Sequence, residues 1–268
     1  MKTYARALTI AGSDSGGGAG IQADLKTFAA LGCYGLSVIT ALTAQNTQAV
    51  TGIMPVSPTF IAEQMSAVLS DIGADAVKIG MLHSAEVIEQ VAKTLVQFGV
   101  KTIVLDPVMV AKSGDKLLQD EAVDALKTHL LPIASVITPN LPEASVLLGR
   151  PVETFAEMEQ AAIDLSTLCP GAILVKGGHL PTAESTDLLY LSPSEQHWFP
   201  TSRIQTDNSH GTGCTLSSAI AAGLAKGLSV VDAVATAKDY LTQALRVGAV
   251  YKLGHGHGPV HHFFNIWQ

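Results

Sequence analysis

The segment Thr206-Asp207-Asn208-Ser209-His210-Gly211-Thr212-Gly213-Cys214-Thr215 carries the densest chemistry in the chain. A glycine-punctuated turn runs directly into a helical pattern read from Thr215 to Lys226. A helix N-terminus leaves amides unpaired and carries the positive end of the macrodipole, so it attracts anions. Gly211 and Gly213 would let that backbone approach the anion closely. Cys214 lies at the same helix start, where the dipole would lower its thiol pKa. An anion pocket beside a polarised thiol suits a nucleophile or a general base. The same residues also suit a tight loop before a core helix, with Cys214 as a small buried apolar side chain.

These residues need elements that bring partners to them. Short apolar runs alternate with longer helical patterns. Strands are expected at Ala7 to Ala11, Leu36 to Ala41, Ala76 to Ile79, Thr102 to Leu105, Val136 to Ile137 and Ile173 to Val175. Helices are expected at about Ala19 to Leu31, Pro58 to Ile72, Ala85 to Phe98, Leu117 to Leu131, Pro142 to Leu148, Phe155 to Leu168, Thr215 to Lys226 and Val230 to Val250. Asp187 to Leu191 and Gln196 to Phe199 read as a hairpin around Ser192-Pro193-Ser194-Glu195. Repeated β-α units imply a three-layer α/β fold, with a central, mostly parallel sheet and helices on both faces. Ligands of such sheets bind at the carboxyl ends of the strands. Ser13 to Gly20, Gln45, Gly80-Met81, Asp106, Asn140 and Lys176 fall there. No linker or repeat interrupts the pattern, so one domain is expected over residues 1–268.

Composition excludes several function classes. The 268 residues are 47% hydrophobic, enough for a sizeable core. A net charge of −7 without a Lys/Arg cluster excludes nucleic acid as a default partner. Mean hydropathy is +0.32, yet no apolar run reaches the roughly 18 residues of a membrane helix. Met1 to Arg6 leads into a strand rather than a signal-peptide core. Cys33, Cys169 and Cys214 are odd in number and widely spaced, which argues against a disulfide framework. A cytoplasmic protein is expected.

Three motifs fail. Gly18-Ala19-Gly20-Ile21-Gln22-Ala23 fits a dinucleotide loop, but no acidic residue lies between Asp24 and Glu63 to hold a ribose. Gly12 and Gly17 have Walker A spacing, but Gly18 and Ala19 stand where Lys and Ser or Thr belong. His255, His257, His261 and His262 lack nearby cysteine or carboxylate, and their glycines read as a flexible loop rather than a zinc site.

The stretch from Thr9 to Phe28 closely resembles the opening of the hydroxymethylpyrimidine/phosphomethylpyrimidine kinases of thiamine biosynthesis. The resemblance continues through Thr40-Ala41-Leu42-Thr43-Ala44-Gln45-Asn46-Thr47, Lys78 to Leu82, Leu105 to Gly114, Thr138 to Ala144, Val175 to His179, Gly211 to Thr215 and Gly256 to Phe263. It implies a ribokinase-like fold, ATP and Mg²⁺, and a homodimer. It further implies phosphorylation of 4-amino-5-hydroxymethyl-2-methylpyrimidine to the monophosphate and then the pyrophosphate. Ser209 stands where the family more often has Thr, which keeps the hydroxyl.

The resemblance gives each residue a role to weigh against packing. Backbone amides of Gly211, Thr212 and Gly213 would stabilise the charge of a phosphoryl group in transfer. Cys214 stands where related kinases carry aspartate and would accept the hydroxyl proton as a thiolate. The Gln45 amide matches the ring nitrogen and amino group of an aminopyrimidine. Asp24 would accept from that amino group, unless it only serves the helix dipole. Gly12, Met81 and Val108 would complete the pyrimidine pocket, though Met81 and Val108 also suit the core. Asp106, Asn140, Glu143 and Lys176 would face ATP, with Asp106 and Glu143 holding Mg²⁺ partly through water. Asn140 and Glu143 also fit a helix capping box. Ala111 to Lys116 is a candidate lid. Pyridoxal kinase, a pyrimidine sensor and a cysteine hydrolase are the competing readings. The intact turn opposes a sensor, and His210 is too close in sequence to Cys214 to serve a hydrolase readily.

Overall fold

The computed structural model describes residues 2–109, 120–180 and 182–267. In chain order the strands are β1 (Arg6–Ala11), β2 (Tyr34–Ile39), β3 (Ala41–Gln45), β4 (Val50–Pro55), β5 (Ala76–Ile79), β6 (Ile103–Leu105), β7 (Val136–Ile137), β8 (Ala172–Val175), β9 (Asp187–Ser192) and β10 (Glu195–Phe199). The helices are α1 (Gly20–Ala30), α2 (Pro58–Asp71), α3 (Ala85–Gln97), α4 (Asp120–Ala125), α5 (Leu141–Leu148), α6 (Phe155–Ser166), α7 (Thr212–Ala225) and α8 (Val230–Gly248). The main sheet has the order β10-β9-β8-β7-β6-β5-β1-β2. From β8 to β2 every pairing is parallel, and the β9–β10 hairpin adds an antiparallel edge.

Strand period decides the layers, because successive side chains point to opposite faces. Leu8, Ile10, Val77, Ile79, Ile103 and Leu105 bury against α2 and α3, and the same cluster runs on to α5 and α6. Each large aliphatic side chain fully buried there contributes about 1.5–3 kcal/mol. Ala7, Ala76, Val104, Val136 and Leu174 face the other layer of α1, α7 and α8.

Helix starts divide into two kinds. Ser57, Ser84, Thr154 and Ser229 cap α2, α3, α6 and α8 with side-chain oxygens, and Asn140 caps α5. Ala19 and Gly211 start α1 and α7 without a side-chain cap. These two starts touch. A Cβ on Gly211 would lie 1.8 Å from the Gly18 carbonyl oxygen, and Gly211 has φ 80°, so only glycine fits this crossing.

The expected elements are present, with boundaries shifted by a few residues. The strand pair β3–β4 was not expected. It forms a second, two-stranded sheet, and most of its residues are exposed or only half-buried. Gln45 therefore ends β3 of this ribbon rather than a strand of the main sheet. The helix expected from Leu117 is α4 followed by a π turn at Leu126–Leu130 and a 3-10 turn at Leu131–Ile133, with residues 117–119 outside the described residues. The lid candidate at residues 111–116 also lies outside them. The histidine tail is a strap rather than a loose loop. His257 N–H donates to Thr47 O at 2.9 Å and His210 N–H donates to Gly258 O at 3.0 Å. A Cβ on Gly258 would lie 1.9 Å from Asn208 Oδ1, so this glycine permits close packing. No helix among the described residues is long and apolar enough to cross a membrane.

One charge sits inside this frame. Lys78 occupies β5 between Val77 and Ile79 and is fully buried. Its Nζ donates to Asp24 at 2.8 and 3.0 Å. Thr9 and Ser218 donate to the same carboxylate, each at 2.6 Å. The network ties β1, β5, α1 and α7 together. Lys78→Met is expected to destabilise the fold by about 3–5 kcal/mol, because it leaves Asp24 charged and unpaired in the core. Urea unfolding would measure it, and a loss under about 1 kcal/mol would contradict this account.

Candidate active site

The carboxyl edge of the main sheet collects Asp106, Asn140 and Lys176 from three adjacent strands. Asp106 follows β6, and its N–H donates to Ile79 O at 2.9 Å, extending the ladder by one residue. Lys176 follows β8 and pairs with Asn140 as an isolated parallel bridge. Lys176 Nζ donates to Asp106 Oδ1 at 2.8 Å and lies 3.9 Å from Glu143 Oε2. Thr138 Oγ1 donates to the same Asp106 oxygen at 3.0 Å, and Ser217 Oγ of α7 donates to Oδ2 at 3.3 Å.

These neighbours set the charges. Burial works against a charged Asp106, yet Lys176 and Lys78 outweigh it and hold the carboxyl below its usual range. Burial also works against charged Lys176, and Asp106 and Glu143 raise it instead. Burial pushes Glu143 up to about 7, with Asp106 adding to the rise and Lys176 opposing it. Asn140 and Glu143 form the capping box in full, with reciprocal hydrogen bonds of 2.8 and 2.9 Å. The box points Glu143 at Lys176, so capping and site geometry coincide.

The first turn of α7 closes over this edge. Thr212, Gly213 and Cys214 are its first three residues, and Gly211 supplies no capping side chain. A Cβ on Gly213 would stand 3.5 Å from Asp106 Oδ2 and 3.6 Å from Lys176 Nζ. The helix therefore begins two residues before Cys214 rather than beside it. Cys214 is half-buried. Burial pushes its thiol up to about 11, Asp24 and Asp106 add to the rise, and Lys78 and the Gly20 amide pull the other way. The lowered thiol expected from the helix dipole is thus overturned by burial and by two carboxylates.

The residues expected on the pyrimidine side meet two fates. Gly12, Met81 and Val108 come to the sheet edge: a Cβ on Gly12 would lie 2.6 Å from Met81 Cε, and Val108 N–H donates to Asp106 O at 2.8 Å. Gln45 arrives from the ribbon, where Ser15 Oγ donates to its carbonyl and accepts from its amide, both at 2.8 Å. Asp24 is the correction. Both its oxygens are engaged by Thr9, Lys78 and Ser218 inside the core, so it is a structural counter-ion with no oxygen turned to a ligand. Sequence reading missed Asp14 and His210. Asp14 accepts amides of Gly16, Gly18 and Ala19 at 2.8, 2.9 and 2.8 Å, and His210 Nε2 lies 2.9 Å from it. Asp14 before a glycine run was a legible loop-capping signal; no local pattern marked His210.

The sequence profile of the family described as phosphomethylpyrimidine kinase matches residues 14–261. This chain belongs to that family. It is 54% identical over 263 residues to the hydroxymethylpyrimidine/phosphomethylpyrimidine kinase of Rhizobium meliloti, covering 98% of each chain. A phosphomethylpyrimidine kinase structure from Clostridium difficile matches with a TM-score of 0.80 at 44% identity, over 90% of this chain and 99% of that one. A pyridoxal kinase of Bacillus subtilis, solved as an ADP complex, matches with a TM-score of 0.89 at 38% identity, over 97% and 98%. The fold is the ribokinase-like fold these kinases share.

Because its pKa is raised, Cys214 is expected to be a thiol at pH 7, with a thiolate fraction of about one in ten thousand. Alkylation of Cys214 by iodoacetamide, followed by mass spectrometry, should rise about tenfold per pH unit from pH 7 to pH 10. A plateau by pH 8 would contradict the raised thiol pKa.

Proposed function

We propose that this chain is an ATP-dependent kinase of thiamine biosynthesis, acting on 4-amino-5-hydroxymethyl-2-methylpyrimidine and then on its monophosphate to give the pyrophosphate. The observation that carries the reading is the convergence of the uncapped first turn of α7 with Lys176 and Asp106 at the sheet edge. Identity of 54% to a kinase named for both steps supports the substrate. The ADP complex of the Bacillus subtilis neighbour supports a nucleotide phosphate donor.

In this reading the amides of Thr212, Gly213 and Cys214 receive the transferring phosphoryl group, whose charge is spread over its oxygens. Lys176 adds a fixed positive charge held in place by Asp106. Gln45 pairs with the aminopyrimidine edge, and Gly12, Met81 and Val108 flank the ring. Cys214 starts as a neutral thiol, so it positions the hydroxyl by hydrogen bonding rather than by abstracting its proton at rest. The donor set fits Mg²⁺ only through water. Among the described residues no three His, Cys, Asp or Glu gather to hold a metal, and Asp106 Oδ1 is engaged by Lys176 and Thr138. Glu143 and Asp106 would hold the hydrated ion, which would supply positive charge against the charge of the phosphates. The free cysteines fit a reducing cytoplasm. Leu42, Ile53, Met54 and Phe60 on and beside the ribbon are exposed, which fits a homodimer in which a second copy covers them.

A coupled assay with ATP should show monophosphate and then pyrophosphate from the pyrimidine alcohol, with kcat/KM at least about tenfold above that for pyridoxal. Faster turnover of pyridoxal would replace this reading with the pyridoxal kinase one. Absence of nucleotide turnover with either alcohol would overturn both.

A further inference from the structure

His210 joins three pieces of the site. It directly precedes Gly211, the start of α7. Its Nε2 lies 2.9 Å from Asp14 Oδ2 and 3.3 Å from Gln45 Nε2. Its ring covers the glycine loop, where a Cβ on Gly18 would stand 2.3 Å from His210 Cδ2. The tail fixes its backbone through Gly258 O.

The protons of this cluster are determined by its neighbours. Asp14 is buried, and three backbone amides donate to its carboxylate. Burial opposes its charge, but His210 and these amides hold it below the usual range. A carboxylate can only accept, so His210 Nε2 carries the hydrogen and donates to Asp14. An Nε2–H has no lone pair left for an amide NH₂, so the Gln45 atom facing His210 at 3.3 Å is best an oxygen, taking the weaker branch of a hydrogen shared with Asp14. The other end of the amide agrees. Thr43 Oγ1 gives its single hydrogen to Ser13 O at 2.7 Å, so toward Gln45, 3.2 Å away, it can only accept. An NH₂ belongs there. Both neighbours select the same orientation of Gln45, the reverse of the one in which Nε2 faces His210.

That orientation has a chemical consequence. An aminopyrimidine presents a ring nitrogen that accepts beside an amino group that donates. The two amide orientations bind that edge with the ring turned over, so they send the neighbouring hydroxymethyl group in different directions. A hydroxypyridine of the pyridoxine type presents a ring hydroxyl, which both donates and accepts and so tolerates either orientation.

We propose that His210 is a positioning residue: held by Asp14, it fixes the Gln45 amide with oxygen toward His210 and nitrogen toward Thr43, and thereby sets selectivity for an aminopyrimidine over a hydroxypyridine alcohol. The inference rests on the reading that Gln45 pairs with the pyrimidine. Three variants separate the two. His210→Leu should lower kcat/KM for the pyrimidine alcohol by about tenfold while that for pyridoxine changes less than about threefold. His210→Gln, which keeps an N–H at similar reach, should recover most of the loss. An equal fall for both alcohols, or no fall, overturns the proposal. Gln45→Ala tests the underlying reading: intact pyrimidine turnover in that variant overturns the pairing itself and the proposal with it. A loss in Gln45→Ala with full activity in His210→Leu overturns only the role of His210. Imidazole ¹⁵N spectra of the unaltered protein at pH 8 give a check that no folding defect can obscure. The hydrogen on Nε2 supports the proposal, and the hydrogen on Nδ1 contradicts it.

Discussion

The site depends on the contact between Gly211 and Gly18. A positive φ and a carbonyl at the position of a side chain leave room for glycine alone, so α7 must begin without a capping side chain. Elsewhere Ser, Thr or Asn oxygens occupy the N3 amide of helices such as α2, α3, α5 and α6. At α7 the unpaired amides and the dipole end stay available over Asp106 and Lys176. The same contact binds the α7 turn to the β1–α1 loop, whose shape Asp14 fixes. In the proposed reading, the anion site and the substrate side are therefore parts of one backbone junction.

Charge balance beneath that junction accounts for the chemistry of its side chains. Lys78 and Lys176 face Asp24, Asp106 and Glu143 in a region with little water. Lys78 neutralises Asp24, and Lys176 neutralises Asp106, so Glu143 is left with the weakest compensation and rises toward neutrality. Cys214 sits above the same group and rises as well. An arriving triphosphate with its cation would enter a pocket that already carries matched charge, and its own charge would meet the amides of α7 and the Lys176 ammonium.

Much of this was legible in the sequence, for identifiable reasons. The central strands β5, β6, β7 and β8 are buried on both faces and read as apolar runs. Asp106, Asn140 and Lys176 were legible because each follows such a run. Lys78 inside a run was itself a signal of an internal ion pair, and its partner Asp24 was misassigned because a helical carboxylate gives no sign of which side it faces. The β3–β4 ribbon escaped because its exposed residues leave no alternating pattern, although Asn46 closes its turn by accepting the amides of Gln48 and Ala49. The glycines at 254, 256 and 258 read as flexibility, whereas they serve tight packing against Thr47 and Asn208. The thiol of Cys214 was misjudged because burial and neighbouring carboxylates are tertiary effects.

The central claim is that α7 and Lys176 together bind the phosphoryl group. Its most direct test is a comparison of the unaltered protein with Lys176→Met by titration calorimetry and turnover. The account predicts that Lys176→Met binds the pyrimidine alcohol with unchanged affinity but loses about a hundredfold in kcat, with weakened binding of AMP-PCP. Unchanged kcat and unchanged AMP-PCP affinity in that variant would contradict it.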